Sequence, residues 1–396
     1  MKLIKPVKRF TKIAAEIFFV IPCICICIIS RFVKKGRSID VGLGPLPLIN
    51  NVYHSKALRQ AGFSAETFVN RTWFITNEFD LDLSKWHASM LLKNCIPYYL
   101  FCRALFRYRV LFIYFNGGPF IWAKYVFHAV EPIFYKLAKI KIVVMPYGGD
   151  VQVLTRCKNL YFRHAVACDY PKFWENYALN LKNIERWTRH ANWVISGADW
   201  VEYMHHWDTL MLGHFSIDME RWAPVKEKEH EKSAKLRIMH APNHTKIKGT
   251  DALIAAIELL KREGLDIELI LLQGVPNAEI RRAMENADLV ADQFVIGWYA
   301  MFAIEAMAME KPVLCYLRED LIDLYVKAGL VAEDEIPLIN TELRDIASKI
   351  RWAYGNREEL NAIGKKGRKF VQKHHSTEHV GRVFTEILNE LGIKRN

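Results

Sequence analysis

An α/β fold made of two doubly wound halves is predicted for this 396-residue chain by three observations. Short β-rich runs alternate with amphipathic helical stretches from Ser38 onward, the signature of βαβ units and parallel sheets. The same style resumes after a charged, poorly hydrophobic stretch at 225–236, which reads as an interdomain linker or surface loop. Each half is long enough to bury its own core. Hydrophobic residues make up 51% and charged residues 25%, which excludes wholesale disorder, a fibre and a polytopic membrane protein.

Ahead of the first strand, residues 1–37 hold nine basic residues against a single acid, Glu16. Most of the formal charge of +12 is therefore local. The other 359 residues carry 46 bases against 42 acids, which argues against a nucleic-acid-binding face. Residues 17–29 run without a charge, short for a transmembrane helix of ~20 apolar residues. No small-residue cleavage site follows, so a signal peptide fits poorly. A membrane-associated helix is expected, kinked at Pro22 and dipping into one leaflet, its basic flanks reaching anionic headgroups. The alternative is a buried core helix. The remainder is expected to fold without this segment.

The elements follow in order. Residues 38–42 read as a strand, Gly42-Leu43-Gly44-Pro45 as a loop, 51–61 as a helix stopped by Gly62, and 65–69 as the second strand. Apolar, β-branched runs place further strands at 110–115, 141–145, 193–196 and 210–214, separated by helices near 86–107, 120–139 and 172–190. In the second half, strands are expected at 236–239, 267–272, 289–291, 312–316 and 336–339. Helices are expected at 249–263, 277–286, 299–309, 342–354, 357–373 and 377–391. The implied domains are 1–37, 38–224, 225–376 and a C-terminal helix at 377–396 that packs back on the first half. Ligands of doubly wound sheets gather beyond the strands' carboxyl ends, so the cleft between the halves is the expected site.

The eight cysteines form no CxxC pair and have no His at zinc spacing, which reads as reduced thiols. The acceptor-type triplets at Asn70 and Asn243 lack a secretory context. Adjacent histidines at 205–206 and 374–375 point apart on a helix and do not suit metal ligation. Asp80-Leu81-Asp82 looks like a metal-binding DxD, but it follows no apolar strand and reads as a solvated loop and helix cap. No metal is expected.

The helix at 299–309 is apolar nearly all round, with Glu305 in its middle. A carboxylate buried there without partners costs several kcal/mol, so protein donors or ligand hydroxyls must bond it. The run Gly297 to Val313, with Ile304-Glu305-Ala306-Met307-Ala308 and Lys311-Pro312-Val313, resembles the donor-site segment of GT-B glycosyltransferases of family 4, also called group 1. That family reads E-x7-E followed by A-M-A-x-G-x-P-V. His240-Ala-Pro-Asn-His244-Thr-Lys246-Ile-Lys248-Gly249 is similar to its strand-loop-helix ending in K-G, and Ala287 to Gln293 to the strand before its donor loop. In the first half, Gly42-Leu43-Gly44 resembles the family's glycine loop and Tyr147-Gly148-Gly149-Asp150 its H-G-x-D turn. The resemblance covers about residues 38–390 and implies the GT-B fold: two Rossmann-like domains with a cleft between them, here with an N-terminal membrane-associated helix.

The resemblance also implies roles. Lys248 would neutralise the diphosphate of a nucleotide sugar together with free helix amides, stabilising the leaving group. His244 or Lys246 would supply a second donor where the family uses an arginine. Glu305 would accept both ribose hydroxyls, and backbone amides from Gly297, Trp298 and Tyr299 onward would face sugar or phosphate. Gly42 and Gly44 would line the donor site, and Asp150 is the remaining carboxylate for orienting a sugar, unless it caps the turn. Two departures stand out: the first Glu of E-x7-E falls at Gly297, and the His of H-G-x-D at Tyr147.

The function so implied is a retaining glycosyltransferase on the cytoplasmic side of the cell membrane. Its donor would be a nucleotide sugar and its acceptor a lipid-linked or polysaccharide glycan, with no cofactor and no nucleic acid. The alternatives are a non-catalytic sugar-nucleotide-binding partner in a glycan-assembly complex and a GT-B sugar-nucleotide epimerase.

Overall fold

The computed structural model describes residues 4–33, 38–123, 125–173, 177–224 and 235–395. The stretch expected as a linker lies, at 225–234, outside the described residues. The first half comprises α1 (Ile4–Phe32), β1 (Ile39–Leu43), α2 (Ile49–Gln60), β2 (Ala65–Val69), β3 (Leu81–Asp82), α3 (Met90–Arg107), β4 (Tyr108–Tyr114), α4 (Phe127–Ala138), β5 (Lys141–Met145), α5 (Leu160–Asp169), α6 (Tyr177–His190), β6 (Trp193–Gly197) and β7 (Thr209–Met211). The second comprises β8 (Leu236–His240), α7 (Thr245–Lys248), α8 (Thr250–Arg262), β9 (Ile267–Leu271), α9 (Asn277–Glu285), β10 (Leu289–Gln293), α10 (Met301–Ala308), β11 (Val313–Cys315), α11 (Glu319–Lys327), β12 (Ile339–Asn340), α12 (Ile346–Gly355), α13 (Arg357–His374) and α14 (Thr377–Glu390).

Both sheets are parallel, in the orders β3-β2-β1-β4-β5-β6-β7 and β12-β11-β10-β8-β9. Their central strands are apolar on both faces, as helix-covered parallel sheets require; β4 and β5 are buried along nearly their whole length. Strand order reverses between β1 and β4 in the first sheet and between β8 and β10 in the second, which opens a crevice at each carboxyl end.

α14 crosses back to the first half and lies against α2. Its Gly381 lets the two helices meet: a β-carbon there would stand 2.7 Å from the Ala57 carbonyl oxygen. Phe384 of α14 packs edge-on against His54 and Phe112, with ring centroids 5.1 Å apart in each case.

The N-terminal segment is neither a free anchor nor a fully buried core helix. Cys23 and Cys27 lie in the hydrophobic core, and Phe19 meets Tyr98 of α3 with centroids 5.4 Å apart. Glu16 accepts hydrogen bonds from the Val126 and Phe127 amides at the start of α4, at 2.6 and 3.1 Å. The expectation that the rest folds without this segment is therefore corrected: one face of α1 is part of the first half's packing.

Candidate active site

At the switch point of the second sheet, the loop after β8 and the loop after β10 meet. Phe294 donates its amide to the Lys248 carbonyl at 3.2 Å. His240, at the end of β8, braces this junction, one ring nitrogen 2.7 Å from the Ala291 carbonyl and the other 2.9 Å from Thr250 Oγ1. Gly249 turns the chain with φ +75°, where a side chain would crowd Leu343 and Phe294.

Three titratable groups converge here. The Lys248 ammonium lies 2.5 Å from Asp292 Oδ1, a pair in which Asp292 is buried and Lys248 nearly so. Glu305 on α10 is buried and accepts from Asn277 Nδ2 at 2.8 Å. Burial pushes the Glu305 carboxyl up to about 8; the Asn277 hydrogen bond and the Arg221 charge pull it down, while Asp292 adds to the rise. Lys248 and Asp292 thus form an ion pair, with the Glu305 carboxyl near enough to feel the Asp292 charge.

The sequence argument did not single out Asp292 or Asn277 as functional. Asp292 had a signal, an acid closing an apolar strand at a carboxyl end. Asn277 had none, because only the packing of α9 on α10 brings it to Glu305.

Lys246 and His244 stand at the cleft rather than in the cluster. Lys246 is exposed and ion-paired with Asp251. The His244 ring lies within hydrogen-bond distance of the Tyr170 hydroxyl, at 2.7 Å. The amides of Lys246 and Ile247 donate to the Asp169 carboxylate of the first half at 3.3 and 2.9 Å. Between α5 and the α7–α8 junction a cavity of about 320 Å³ opens, lined by Tyr161, His164, Cys168, Lys246, Gly249 and Val295 among others.

Other expected site residues are placed differently. Trp298 and Tyr299 are fully buried and hold the halves together. Trp298 donates its indole N–H to the Leu212 carbonyl at 2.7 Å, and the Tyr299 hydroxyl lies 2.9 Å from His375 Nε2. The Trp298 side chain thus reaches the first half directly, and Tyr299 does so through His375, whose other ring nitrogen lies 3.1 Å from the Phe215 carbonyl. Gly297, with φ +95°, lies beneath Arg318, which is ion-paired with Glu202 of the first half at 2.9 Å and with Asp320 at 2.7 Å.

Asp150, expected to orient a sugar unless it caps the turn, does cap the turn. Its buried carboxylate accepts from the amides of Phe115, Tyr147 and Gly148, all at 3.0 Å, fixing the 147–149 turn to the end of β4. Burial pushes it up to about 7. Gly42 and Gly44 have packing reasons of their own, since a β-carbon at 42 would enter the Tyr108 ring and one at 44 the Phe68 backbone. Tyr147 accepts from Asn116 Nδ2 at 2.7 Å.

Asp80 and Asp82 serve local structure. Asp80 accepts from the Thr67 amide and hydroxyl and from Arg59, and Asp82 caps Ser84 at 2.8 Å. Among the described residues no group of three or more His, Cys, Asp or Glu is placed to hold a metal ion.

No protein-family profile matches the chain, and no curated protein matches it. Among solved structures it is similar to sucrose-phosphate synthase from Thermosynechococcus elongatus, with a TM-score of 0.60 at 12% identity over 90% of this chain and 99% of that one. It is also similar to S. aureus MnaA with UDP, at a TM-score of 0.49 and 12% identity over 91% and 98% of the two chains. A third similarity is to a S. aureus TarM G117R mutant, at 0.47 and 15% identity over 71% of this chain and 55% of that one. With two parallel α/β halves facing each other across a cleft, a returning C-terminal helix and the first of these likenesses, the chain has the GT-B fold.

Proposed function

We propose that this chain is a retaining glycosyltransferase that moves a sugar from a nucleotide donor to a lipid-linked or polysaccharide acceptor at the cytoplasmic face of a membrane, in cell-surface glycan biosynthesis. The observation that supports it most is the cluster of Lys248, Asp292 and Glu305 at the switch point of the second sheet. A buried carboxyl with a raised pKa, near a lysine–aspartate pair, is arranged to take hydroxyls at one point and an anion at another.

In this reading Glu305 accepts the two ribose hydroxyls, with Asn277 holding its other oxygen. The Lys248 ammonium, shared with Asp292 before the donor arrives, turns to the diphosphate. As the bond between the sugar's anomeric carbon and the phosphate oxygen breaks, negative charge grows on that oxygen next to Lys248. The acceptor hydroxyl forms its new bond on the same face, and its proton passes to the leaving phosphate, so no separate protein base is needed. His244 and Lys246 stand where the donor enters.

The test is release of nucleoside diphosphate from a panel of nucleotide sugars incubated with the protein and membranes, with and without EDTA. Turnover that yields a glycosylated acceptor and survives chelation is expected. A second reading, sugar-nucleotide binding without transfer, is favoured by Gly297 lying under Arg318, which leaves no carboxylate at that position. It predicts binding with no diphosphate released on any acceptor.

A further inference from the structure

α1 is apolar on both sides over most of its length, yet only one side is covered. Ile13, Glu16, Val20, Cys23, Cys27 and Ser30 recur at helical spacing and face α3 and α4. The opposite stripe runs Ile17, Phe18, Ile21, Ile28, Ile29 and Phe32, with exposures from 44% to 85%. A helix that is hydrophobic all round belongs in an apolar surrounding on every side.

A second exposed patch lies beside it. Phe19 meets Tyr98, and Cys23, one turn on, lies near Cys102, so α3 runs beside α1 in the same direction. The first turn of α3 therefore lies toward the N-terminal half of α1. That turn consists of Met90, Leu91 and Leu92, exposed by 81%, 73% and 42%, followed by exposed Lys93.

We infer that α1 and the first turn of α3 form a single face that lies in the plane of an anionic lipid bilayer, with α1 half-sunk and not crossing it. By length the helix could cross, since Phe10–Phe32 has 23 residues, or roughly 34 Å. Its attachments forbid that. Glu16 is fixed to the amides of α4, and residues 19–27 are fixed along α3 and into the core. A crossing would drag the charged surface of α3 and the polar start of α4 into hydrocarbon, at several kcal/mol per charge.

Charge selects lipid over a second copy of the chain. Lys12 and Arg31, in a segment holding nine bases and one acid, and Lys93 of α3 are exposed around the apolar stripe. Two copies paired through this stripe would set bases against bases. Anionic headgroups answer the same charges.

This inference rests on the membrane association proposed above and is independent of the transferase reading. The test uses the full chain with an N-terminal tag and vesicles of phosphatidylcholine, alone or with phosphatidylglycerol. The parent is expected to float with anionic vesicles at least tenfold better than with neutral ones, and external protease should remove the tag. Met90→Glu with Leu91→Glu, at exposed positions outside α1, should cut binding at least fivefold with melting and nucleotide binding unchanged.

A protease-protected tag would mean that the helix spans. Binding by the α3 variant equal to the parent's would remove α3 from the face, and a dimer that ignores vesicles would make the occupant a second copy. Each of these overturns the inference. A parent that floats but binds no nucleotide would sink the transferase reading and leave this one standing.

Discussion

Arg318 lies directly over Gly297, its Cγ and Cδ 2.5 Å from where a β-carbon at 297 would stand, and its guanidinium reaches Glu202 across the domain boundary. The glycine at this position is thus bound to the arginine that closes over it. Gly297→Glu should not graft a sugar-contacting carboxylate; it should evict Arg318 and leave Glu202 buried without its partner. A loss of roughly 3–5 kcal/mol is expected in denaturant melts. Shortening the obstacle with Gly297→Glu plus Arg318→Ala should recover more than about 1 kcal/mol of the sum of the single effects. Additive losses would show that the two residues do not compete for space.

Glu305→Gln separates the ligand role of this carboxyl from its structural one. With burial raising it to about 8, the native group is largely protonated at pH 7, so the amide should leave melting nearly unchanged. Nucleotide binding should weaken by roughly 1.5–3 kcal/mol, the scale of a charged hydrogen bond. Parent affinity should also rise with pH up to about 8 and level off above it, while the Gln variant lacks that component. Calorimetric titration of nucleoside diphosphate between pH 6.5 and 9 reads both; equal affinities and equal profiles would make Glu305 structural.

Lys248 and Asp292 call for a pair of variants. Lys248→Ala strands a buried carboxylate and should cost about 3–5 kcal/mol of stability as well as turnover. Adding Asp292→Asn removes the stranded charge, so stability should return in large part while turnover stays low. Turnover should fall more than donor affinity, because the charge on the leaving phosphate is fully developed only as the bond breaks. If the double variant recovers turnover along with its melting temperature, Lys248 acts through the fold and another group holds the diphosphate.

The parts of this architecture written in local pattern were legible without coordinates. β5 is read residue for residue at 141–145 because KIVVM is an unbroken buried run, and α13 and α14 to within one residue at their C-terminal ends because their apolar spacing is helical. α5 and α11 were passed over. Each is only nine or ten residues long and lies in a stretch to which the sequence reading assigns no element. Glu305 was visible because a charge in an apolar helix needs an explanation. Its companions were not: Asp292 and Asn277 are brought to it by strand order and helix packing, and Asp169 reaches the α7 amides only across the cleft.

Stability should fall between pH 6.5 and 8. Burial raises Glu131, Asp150 and Asp199 to about 7 and Glu305 to about 8, so their contribution is complete below the ordinary carboxylate range and is lost as pH climbs through these values. Buried and half-buried histidines oppose this at lower pH. His54 and His375 are held down to about 3, and His214, His240 and His379 to about 4. Their contribution is complete above about 6.5 and is lost as pH falls toward 4. The two sets nearly offset each other between 4.5 and 6.5, leaving the carboxyl decline alone above that. Melting curves at constant ionic strength check this; a melting temperature still rising at pH 8 would show that these carboxyls are not buried as described.

Glu310 follows α10 with φ +59°, a left-handed backbone at a residue that carries a side chain. The conformation costs an L-residue about 1–2 kcal/mol, whereas glycine takes it freely at some cost in unfolded-chain entropy. Glu310→Gly should therefore raise stability by about 0.5–1 kcal/mol, seen as a higher urea midpoint with an unchanged slope. The facing position should respond in the opposite sense. Gly364 of α13 presses against the Glu310 carbonyl so closely that a β-carbon there would overlap the oxygen. Gly364→Ala should destabilise by about 1–3 kcal/mol, the cost of overpacking. If Glu310→Gly lowers the midpoint instead, its side chain contributes more than its backbone costs, and the left-handed turn after α10 is not a point of strain.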